Sequence, residues 1–147
     1  MNIHAHAILV VEDDANDVLL LTRAFRKAKV STPFHVVADG EAAMAYLAGT
    51  APFTNRQQHP LPDLILLDLK LPRVSGLEVL AWLRQEPELK RTPVVVLTSS
   101  RENKDINQAY ELGANSYLVK PVAFDALLEL VQHLNLYWLK LNQNPIL

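Results

Sequence analysis

Short apolar runs lead directly into carboxylates at two places in this sequence. Asp68 follows Leu64–Leu67, and Glu12 and Asp13 follow Ile8–Val11. Unbroken apolar runs of this length are typical of strands covered on both faces, and such sheets bind their ligands at the carboxyl ends of the strands. Carboxylates gathered at one edge repel one another, and a hard cation that prefers oxygen ligands relieves the repulsion. We therefore predict a site for Mg²⁺ or Mn²⁺, because the chain has no Cys and no His cluster that would suit Zn²⁺.

Two further predicted strand ends carry groups that suit a phosphoryl group. Thr98 follows the apolar run 94–97, and Lys120 follows the segment 116–119. A metal ion and an ammonium spread the charge of a phosphoryl group, and a hydroxyl donates a hydrogen bond to it. A carboxylate beside them can attack phosphorus and form an aspartyl phosphate. The residue types thus indicate phosphoryl chemistry at one edge of a sheet.

Other phosphate-binding patterns are absent from the sequence. It contains neither G-x-x-x-x-G-K-[ST] nor G-x-G-x-x-G among its four glycines, and its first acidic turn would repel a nucleotide or flavin phosphate. A phosphatase of the haloacid dehalogenase type has a D-x-D motif, whereas Lys70 stands in place of the second acid here. A metal-dependent phosphatase that acts on other molecules stays a distant alternative.

The elements that must position these groups alternate regularly along the chain. We predict strands over residues 7–11, 34–38, 63–67, 94–97 and 116–119, each followed by a helix, with the last helix running from 124 to about 141. Strands and helices that alternate at short spacing form parallel βαβ units. The predicted fold is an α/β, flavodoxin-like three-layer sandwich with a parallel five-stranded sheet in the order 2-1-3-4-5. In that order the first and third strands are neighbours, so Asp13 and Asp68 meet.

Composition limits the remaining possibilities. Half of the 147 residues are hydrophobic, the net charge is −2, and no long basic run is present. We expect one domain over residues 1–147, with 135–147 as an extension of the last helix and tail. We expect no nucleic-acid partner, since binding nucleic acid needs clustered Lys and Arg.

No apolar run reaches the roughly 18 residues of a membrane span, and no signal peptide is evident, so we predict a cytoplasmic protein with no membrane contact. We interpret His4 and His6 as part of a disordered end, because a His-x-His pair lacks a third metal ligand.

Several segments together resemble the receiver domains of two-component response regulators. They are, in chain order, Val10-Val11-Glu12-Asp13-Asp14, Leu67-Asp68-Leu69-Lys70-Leu71-Pro72 with Gly76, Val96-Leu97-Thr98-Ser99, and Gly113-Ala114-Asn115-Ser116-Tyr117-Leu118-Val119-Lys120-Pro121. The resemblance covers roughly residues 8–134. It implies a signalling switch that is not an enzyme for other substrates and that catalyses only its own Mg²⁺-dependent phosphorylation and dephosphorylation.

The resemblance also assigns roles to the acidic residues and their neighbour. Asp68 matches the phosphoacceptor, Asp13 the direct metal ligand, and Glu12 an acid that usually acts through water. Lys70 stands where the family offers a backbone carbonyl to the metal, and its side chain is expected to face the phosphoryl region.

Four more residues match those that respond to phosphorylation in this family. Lys120 matches the lysine that pairs with the phosphate, and Thr98 matches the switch hydroxyl. Tyr117 matches the switch aromatic, with a simple packing role as the alternative. Pro121 matches a proline that follows a cis peptide bond in this family.

A narrower resemblance is to the small stand-alone regulators that pair with cyanobacterial and bacterial phytochromes. It rests on Asp13-Asp14-Ala15-Asn16-Asp17-Val18, the long loop before the third strand, residues 112–117 and the pair Tyr137-Trp138. It implies a sensor histidine kinase, of the phytochrome type, as the phosphoryl donor. A constitutive scaffold module that kept the fold and site but ignores phosphate is the alternative from a different class.

The last predicted helix carries apolar residues on more than one side, which favours burial on more than one side. One side faces the sheet. We predict a homodimer through the last helix and the face of strand five, with interface residues Leu130, Leu134, Tyr137, Trp138 and Leu141. The alternative is a C-terminal tail that folds back on its own domain.

Overall fold

Five parallel strands and five α-helices alternate over residues 7–146, the part of the chain that this computed structural model describes. The strands are β1 (Ile8–Val11), β2 (Phe34–Val37), β3 (Leu64–Leu67), β4 (Val94–Thr98) and β5 (Ser116–Val119). The helices are α1 (Ala15–Lys27), α2 (Gly40–Ala48), α3 (Gly76–Gln85), α4 (Asn103–Glu111) and α5 (Phe124–Leu134), and a π-helical segment, Asn135–Leu141, continues α5. The predictions about His4 and His6 lie outside the described residues.

The strands form one sheet in the order β2-β1-β3-β4-β5, with every neighbouring pair parallel. Val11 of β1 lies opposite Leu67 of β3, and Thr98 of β4 lies opposite Val119 of β5. The residues that follow these positions therefore reach the same edge of the sheet. The flavodoxin-like fold predicted from the sequence is confirmed.

Helices cover the sheet on both sides, which explains the unbroken apolar runs of its central strands. Val11 and Leu67 pack with residues of α2 and α3 on one face. Val10 and Leu66 pack with residues of α1 and α5 on the other. Burying each such side chain is worth about 1.5–3 kcal/mol, so β1 and β3 are held firmly at the centre and their carboxyl ends are fixed relative to each other.

A helix cap fixes the first turn that leaves the sheet. The Asp14 side chain accepts hydrogen bonds from the backbone N–H groups of Asn16 at 2.8 Å and Asp17 at 3.1 Å, and so begins α1 immediately after the acidic turn. The Asp14 carboxylate is thereby a helix cap. The first turn of α1, including Asp17, is held next to the end of β1.

Two expectations about local structure need correction. Among residues 7–146 the cis peptide bond is Ala51–Pro52, and the Lys120–Pro121 bond is trans, so the predicted cis bond before Pro121 is wrong. The trans form of an X–Pro bond is favoured by only about 0.5–1 kcal/mol, so a proline in the sequence does not determine the isomer. In addition, β4 extends one residue further than predicted and includes Thr98, because the Lys120 backbone N–H donates to the Thr98 carbonyl at 2.8 Å.

Among residues 7–146, no helix combines the length and the apolar composition that crossing a membrane requires.

Candidate functional site

Three carboxylates meet where β1 and β3 end, as the sequence predicted. Glu12, Asp13 and Asp68 each offer an oxygen, and these three atoms lie within 4.8 Å of one another. Glu12 and Asp68 are buried, whereas Asp13 is exposed at a cavity of about 570 Å³ that opens to solvent. A cluster with only oxygen donors fits a hard divalent cation such as Mg²⁺ or Mn²⁺, and the residues that would hold it are these three.

One ammonium lies against this cluster. The Nζ atom of Lys120, at the end of β5, is 2.9 Å from Asp68 Oδ2, 2.8 Å from Asp17 Oδ2, and in close contact with Glu12 Oε1. Its side chain is only 17% exposed. Lys120 therefore uses its donors on three carboxylates from β1, β3 and α1 and ties these elements together.

The charges of the cluster are unevenly compensated. Burial raises the pKa of Glu12 to about 7, although the hydrogen bond from Lys120 works against that rise, and the neighbouring Asp68 charge adds to it. Burial also raises the pKa of Asp68, but the interactions with Lys120 and Thr98 outweigh it and leave the pKa below its ordinary value. Burial lowers the pKa of Lys120, and the hydrogen bonds to Asp17, Glu12 and Asp68 more than reverse this effect. The interactions with Lys120 and Thr98 therefore favour the ionised form of Asp68, whereas burial, and to a smaller extent the charge of Asp68, disfavours the ionised form of Glu12.

Thr98 brings a buried hydroxyl to the same edge. The residue is 0% exposed, and within residues 7–146 its Oγ1 atom has no hydrogen-bond partner. Its presence nevertheless helps to lower the pKa of Asp68, so the hydroxyl lies near that carboxylate without the geometry of a hydrogen bond. A buried hydroxyl without a partner, beside an ionised carboxylate, is placed to donate a hydrogen bond to an oxygen of a group attached to that carboxylate.

Tyr117 lies beside the loop that follows Thr98. Its hydroxyl donates to the Ser100 carbonyl at 3.0 Å, and its ring packs partly buried near Val96 and Ala109. Burial raises the pKa of its hydroxyl. The ring thus packs between β4 and α4, and its role as the switch aromatic stays a prediction.

The side chain of Lys70 lines the cavity beside Asp68, and its ammonium pairs with a carboxylate of α4. Its backbone N–H donates to Asp68 Oδ1 at 3.2 Å, but its Nζ atom lies 3.4 Å from Asp105 Oδ2, in the first turn of α4. Asp105 is buried and accepts a second hydrogen bond, at 2.6 Å, from Ser100 Oγ. The ammonium is directed to α4 because this buried carboxylate offers a stronger local attraction than open solvent at the cavity.

Sequence reasoning missed Asp17 and Asp105 as partners of site residues. Asp17 lies in the first turn of the helix that follows the acidic turn after β1, and this closeness to a strand end was an available signal. Asp105 gives no such signal, because only the packing of α4 brings it to Lys70.

The predicted interface residues are divided between the core and the surface. Leu134 is 6% exposed and packs into its own domain with Leu127 and Val131, so it is a core residue. Tyr137 and Leu141 are 56% and 62% exposed. Leu130, Leu134, Tyr137 and Trp138 line a cavity of about 670 Å³ between β5, α5 and the π-helical segment.

The whole chain is similar to known response regulators. A family model described as the response regulator receiver domain matches residues 8–132. The probable methanogenesis regulatory protein FilR2 of Methanothrix harundinacea is 38% identical over 138 residues, which are 94% of this chain and 86% of FilR2. Response regulator Rcp1 of Synechocystis sp. is 41% identical over 133 residues, which are 90% of this chain and 88% of Rcp1.

Two solved structures share this fold over nearly their full length. The Mn²⁺-bound form of Rcp1 has a TM-score of 0.85 at 39% identity and covers 95% of this chain and 99% of its own. The phosphorylated cyanobacterial phytochrome response regulator RcpA has a TM-score of 0.88 at 39% identity and covers 96% of this chain and 99% of its own. Given its matching residues, its sheet order and the carboxylates and lysine at the sheet edge, this chain belongs to the response regulator receiver domain family.

Proposed function

We propose that this protein is a stand-alone response regulator of a two-component phosphorelay. It accepts a phosphoryl group on Asp68 from a phosphohistidine of a sensor histidine kinase and then presents an altered surface to a protein partner. The observation that carries this proposal is the ionised Asp68 carboxylate, held by Lys120 at 2.9 Å beside two further acids and opening on a cavity.

The residues of the site have distinct roles in this transfer. An oxygen of Asp68 forms a bond to phosphorus as the bond from phosphorus to the donor histidine nitrogen breaks, and that bond's electron pair returns to the nitrogen. Lys120 pairs with the phosphoryl oxygens, and the free hydroxyl of Thr98 donates a hydrogen bond to one of them. These contacts stabilise the negative charge on the phosphoryl oxygens, which Asp68 by itself does not stabilise.

A divalent cation completes the proposed site. Asp13 and Asp68 would bind it directly, Glu12 through water, and Lys70 through its backbone carbonyl, by analogy with the family. When bound, the cation neutralises phosphoryl charge. The Mn²⁺-bound form of Rcp1 and the acidic cluster described above support a divalent ion at this place.

The output is proposed to pass through Tyr117 to the surface of α4, β5 and α5. Tyr117 contacts the carbonyl of Ser100, two residues after Thr98, so movement of Thr98 towards a phosphoryl group changes the environment of the ring. The phosphoryl group shifts the balance between two arrangements by its difference in affinity for them.

The type of kinase is a narrower proposal. Rcp1 and RcpA support a phytochrome-type kinase, since RcpA is described as a phytochrome response regulator. FilR2 is described as a methanogenesis regulator and is nearly as similar, so receivers of this sequence class also serve another input. The cytoplasmic location predicted from the sequence stays a prediction.

A homodimer is proposed on the exposed residues of the last helical segment. Tyr137 and Leu141 lie beside a large groove along β5 and α5, and a second copy of this chain would cover both. Trp138 and Leu139 pack against the domain's own core, which supports the alternative of a folded-back tail for that part of the segment.

Intact mass after incubation with acetyl phosphate tests the central proposal. The wild-type chain should gain one phosphoryl group in the presence of Mg²⁺ and much less without it, whereas Asp68→Asn should gain none. Asp14→Asn is a matched control, because it changes a neighbouring carboxylate that caps α1 and Asn caps equally well. No gain in the wild type with acetyl phosphate or with any histidine kinase would contradict the proposal and favour a constitutive scaffold.

A further inference from the structure

Lys120 is held by a carboxylate that is separate from the acidic cluster. Asp17, in the first turn of α1, accepts a hydrogen bond from Lys120 Nζ at 2.8 Å. The other partners of the ammonium, Glu12 and Asp68, both belong to the cluster of oxygens within 4.8 Å of one another, and Asp17 is not part of that group. Asp17 therefore binds Lys120 without offering the oxygens that a metal would use.

The two partners within the cluster cannot serve a cation and Lys120 equally. A divalent cation bound by Glu12 and Asp68 neutralises the charge that attracts the ammonium, and it repels the ammonium directly. Lys120 would then compete with the cation or leave the site. Asp17 lies outside the group of oxygens that would bind the cation, and its side chain is 38% exposed, so it can follow the ammonium at the rim of the cavity.

We propose that Asp17 is a positioning residue that holds Lys120 beside Asp68 when a divalent cation binds the acidic cluster. The cation and the Lys120 ammonium can then occupy the same site, because the cation binds the acidic cluster while the ammonium binds Asp17. The inference rests on the proposed phosphoryl transfer to Asp68 with a bound cation, and it adds the residue that makes the cation and the lysine compatible.

Calorimetric titration of Mn²⁺ into the full chain tests this role without measuring phosphorylation. Asp17→Asn should weaken Mn²⁺ binding on the order of tenfold, as is typical when a partner outside the ligand shell is removed. Asp17→Glu retains a carboxylate and should restore most of the affinity. Asp14→Asn removes an equal charge from the same cavity rim without contact to Lys120, and should weaken binding by only about twofold because an exposed charge is screened.

The Lys120→Met variant shows whether Asp17 affects Mn²⁺ binding by holding Lys120 or only through its own negative charge. With no ammonium to hold, adding Asp17→Asn should weaken Mn²⁺ binding no more than Asp14→Asn does in that background. Lys120→Met alone should strengthen binding, since the competing positive charge is gone. If Lys120→Met does not fold, as judged by circular dichroism, the comparison of Asp17→Asn, Asp17→Glu and Asp14→Asn decides the question.

The possible failures of the two proposals can be told apart. Equal effects of Asp17→Asn and Asp14→Asn, or an Asp17→Asn effect that persists undiminished with Lys120→Met, would overturn the positioning role and leave the phosphoryl transfer intact. A wild-type chain that binds Mn²⁺ but takes no phosphoryl group from any donor would overturn the proposed function, while the affinities of the Asp17 variants would still stand.

Discussion

Thr98 is the residue at which stability and function are most clearly opposed. Its hydroxyl is fully buried and has no hydrogen-bond partner among residues 7–146. An unsatisfied buried polar group of this kind costs about 1–3 kcal/mol of folding free energy. A phosphoryl oxygen on Asp68 would supply the missing acceptor, so the cost is explained if the hydroxyl serves the phosphorylated state.

Thr98→Val should therefore make the unphosphorylated protein more stable and the switch less effective. We expect the free energy of unfolding to rise by about 1 kcal/mol, because an unpaired hydroxyl is replaced by a methyl group. The lifetime of the phosphorylated form and the response of Tyr117 should both decrease. Urea denaturation measures the first effect, and intact mass followed over time measures the lifetime.

Thr92→Val provides the matched control for this prediction. Thr92 is the second buried threonine whose hydroxyl lacks a partner within the described chain, and it lies before β4, at the opposite end of that strand from Asp68. Its substitution should also raise stability by about 1 kcal/mol and leave phosphorylation unchanged. If both variants alter the phosphoryl lifetime equally, the hydroxyl of Thr98 has no special role.

The first turn of α4 is the element through which the loop after β3 is joined to Ser100 and Tyr117. Asp105 is buried there, accepts from Ser100 Oγ at 2.6 Å, and pairs with Lys70 Nζ at 3.4 Å. Tyr117 donates to the carbonyl of the same Ser100. A change at Lys70 or Ser100 therefore reaches α4 and Tyr117 through direct contacts.

Asp105→Asn should destabilise the protein in a pH-dependent manner. The hydrogen bond from Ser100 lowers the pKa of Asp105 below its ordinary value of 3.8, and the charge of Lys70 adds to this effect. A lowered pKa in the folded state contributes stability above the unfolded pKa and loses it as pH falls through the folded value. We expect a loss of about 1 kcal/mol at pH 7 that diminishes as the pH falls below the ordinary value of 3.8 and through the lowered pKa of the folded state, measured by urea denaturation at pH 7 and at pH about 3.

Asp125→Asn is the control for Asp105→Asn, because Asp125 occupies the first turn of α5 but is exposed. Its substitution should change stability by less than about 0.5 kcal/mol at either pH, as is usual for surface changes. A loss for Asp105→Asn that is the same at pH 3 and pH 7 would show that the charged form is not what stabilises α4.

At the scale of the whole molecule, the groove between β5 and the last helical segment is the surface on which the proposed homodimer depends. The groove has a volume of about 670 Å³, and Tyr137 stands at its rim with its ring 5.1 Å from that of Trp138. Leu136 and Leu141 are also more than half exposed. Apolar side chains of this size grouped on one surface favour a partner with a similar surface.

Sedimentation at increasing protein concentration should show a change from monomer to dimer. Tyr137→Ser should weaken the dimer by about tenfold or more, since large aromatic residues that become buried on association contribute a large share of the binding energy. Leu19→Ser is the matched control, because Leu19 is 54% exposed on α1, away from the groove. A strictly monomeric protein at high concentration would remove the dimer proposal and favour the folded-back tail.

The sequence by itself determined the alternation of strands and helices and the residue types at the strand ends, whereas the strand order was taken from the flavodoxin-like arrangement and is confirmed by the structure. The unbroken apolar runs at β1 and β3 predict strands buried on both faces, and the observed packing with helices on each side agrees. Parallel strands end at one edge, and the flavodoxin-like order makes β1 and β3 neighbours, so Glu12, Asp13 and Asp68 were expected to lie together. These features depend on local patterns and on a topology that has few alternatives.

Only the tertiary structure decided which charges pair across elements. Lys120 reaches Asp17 on α1, and Lys70 turns to Asp105 on α4, although neither contact follows from sequence spacing between the partners. The isomer of the Lys120–Pro121 bond and the burial of Leu134 were likewise open until the packing was known. The physical reason is that long, charged side chains choose among several nearby partners of similar energy, so small differences in position and burial decide the outcome.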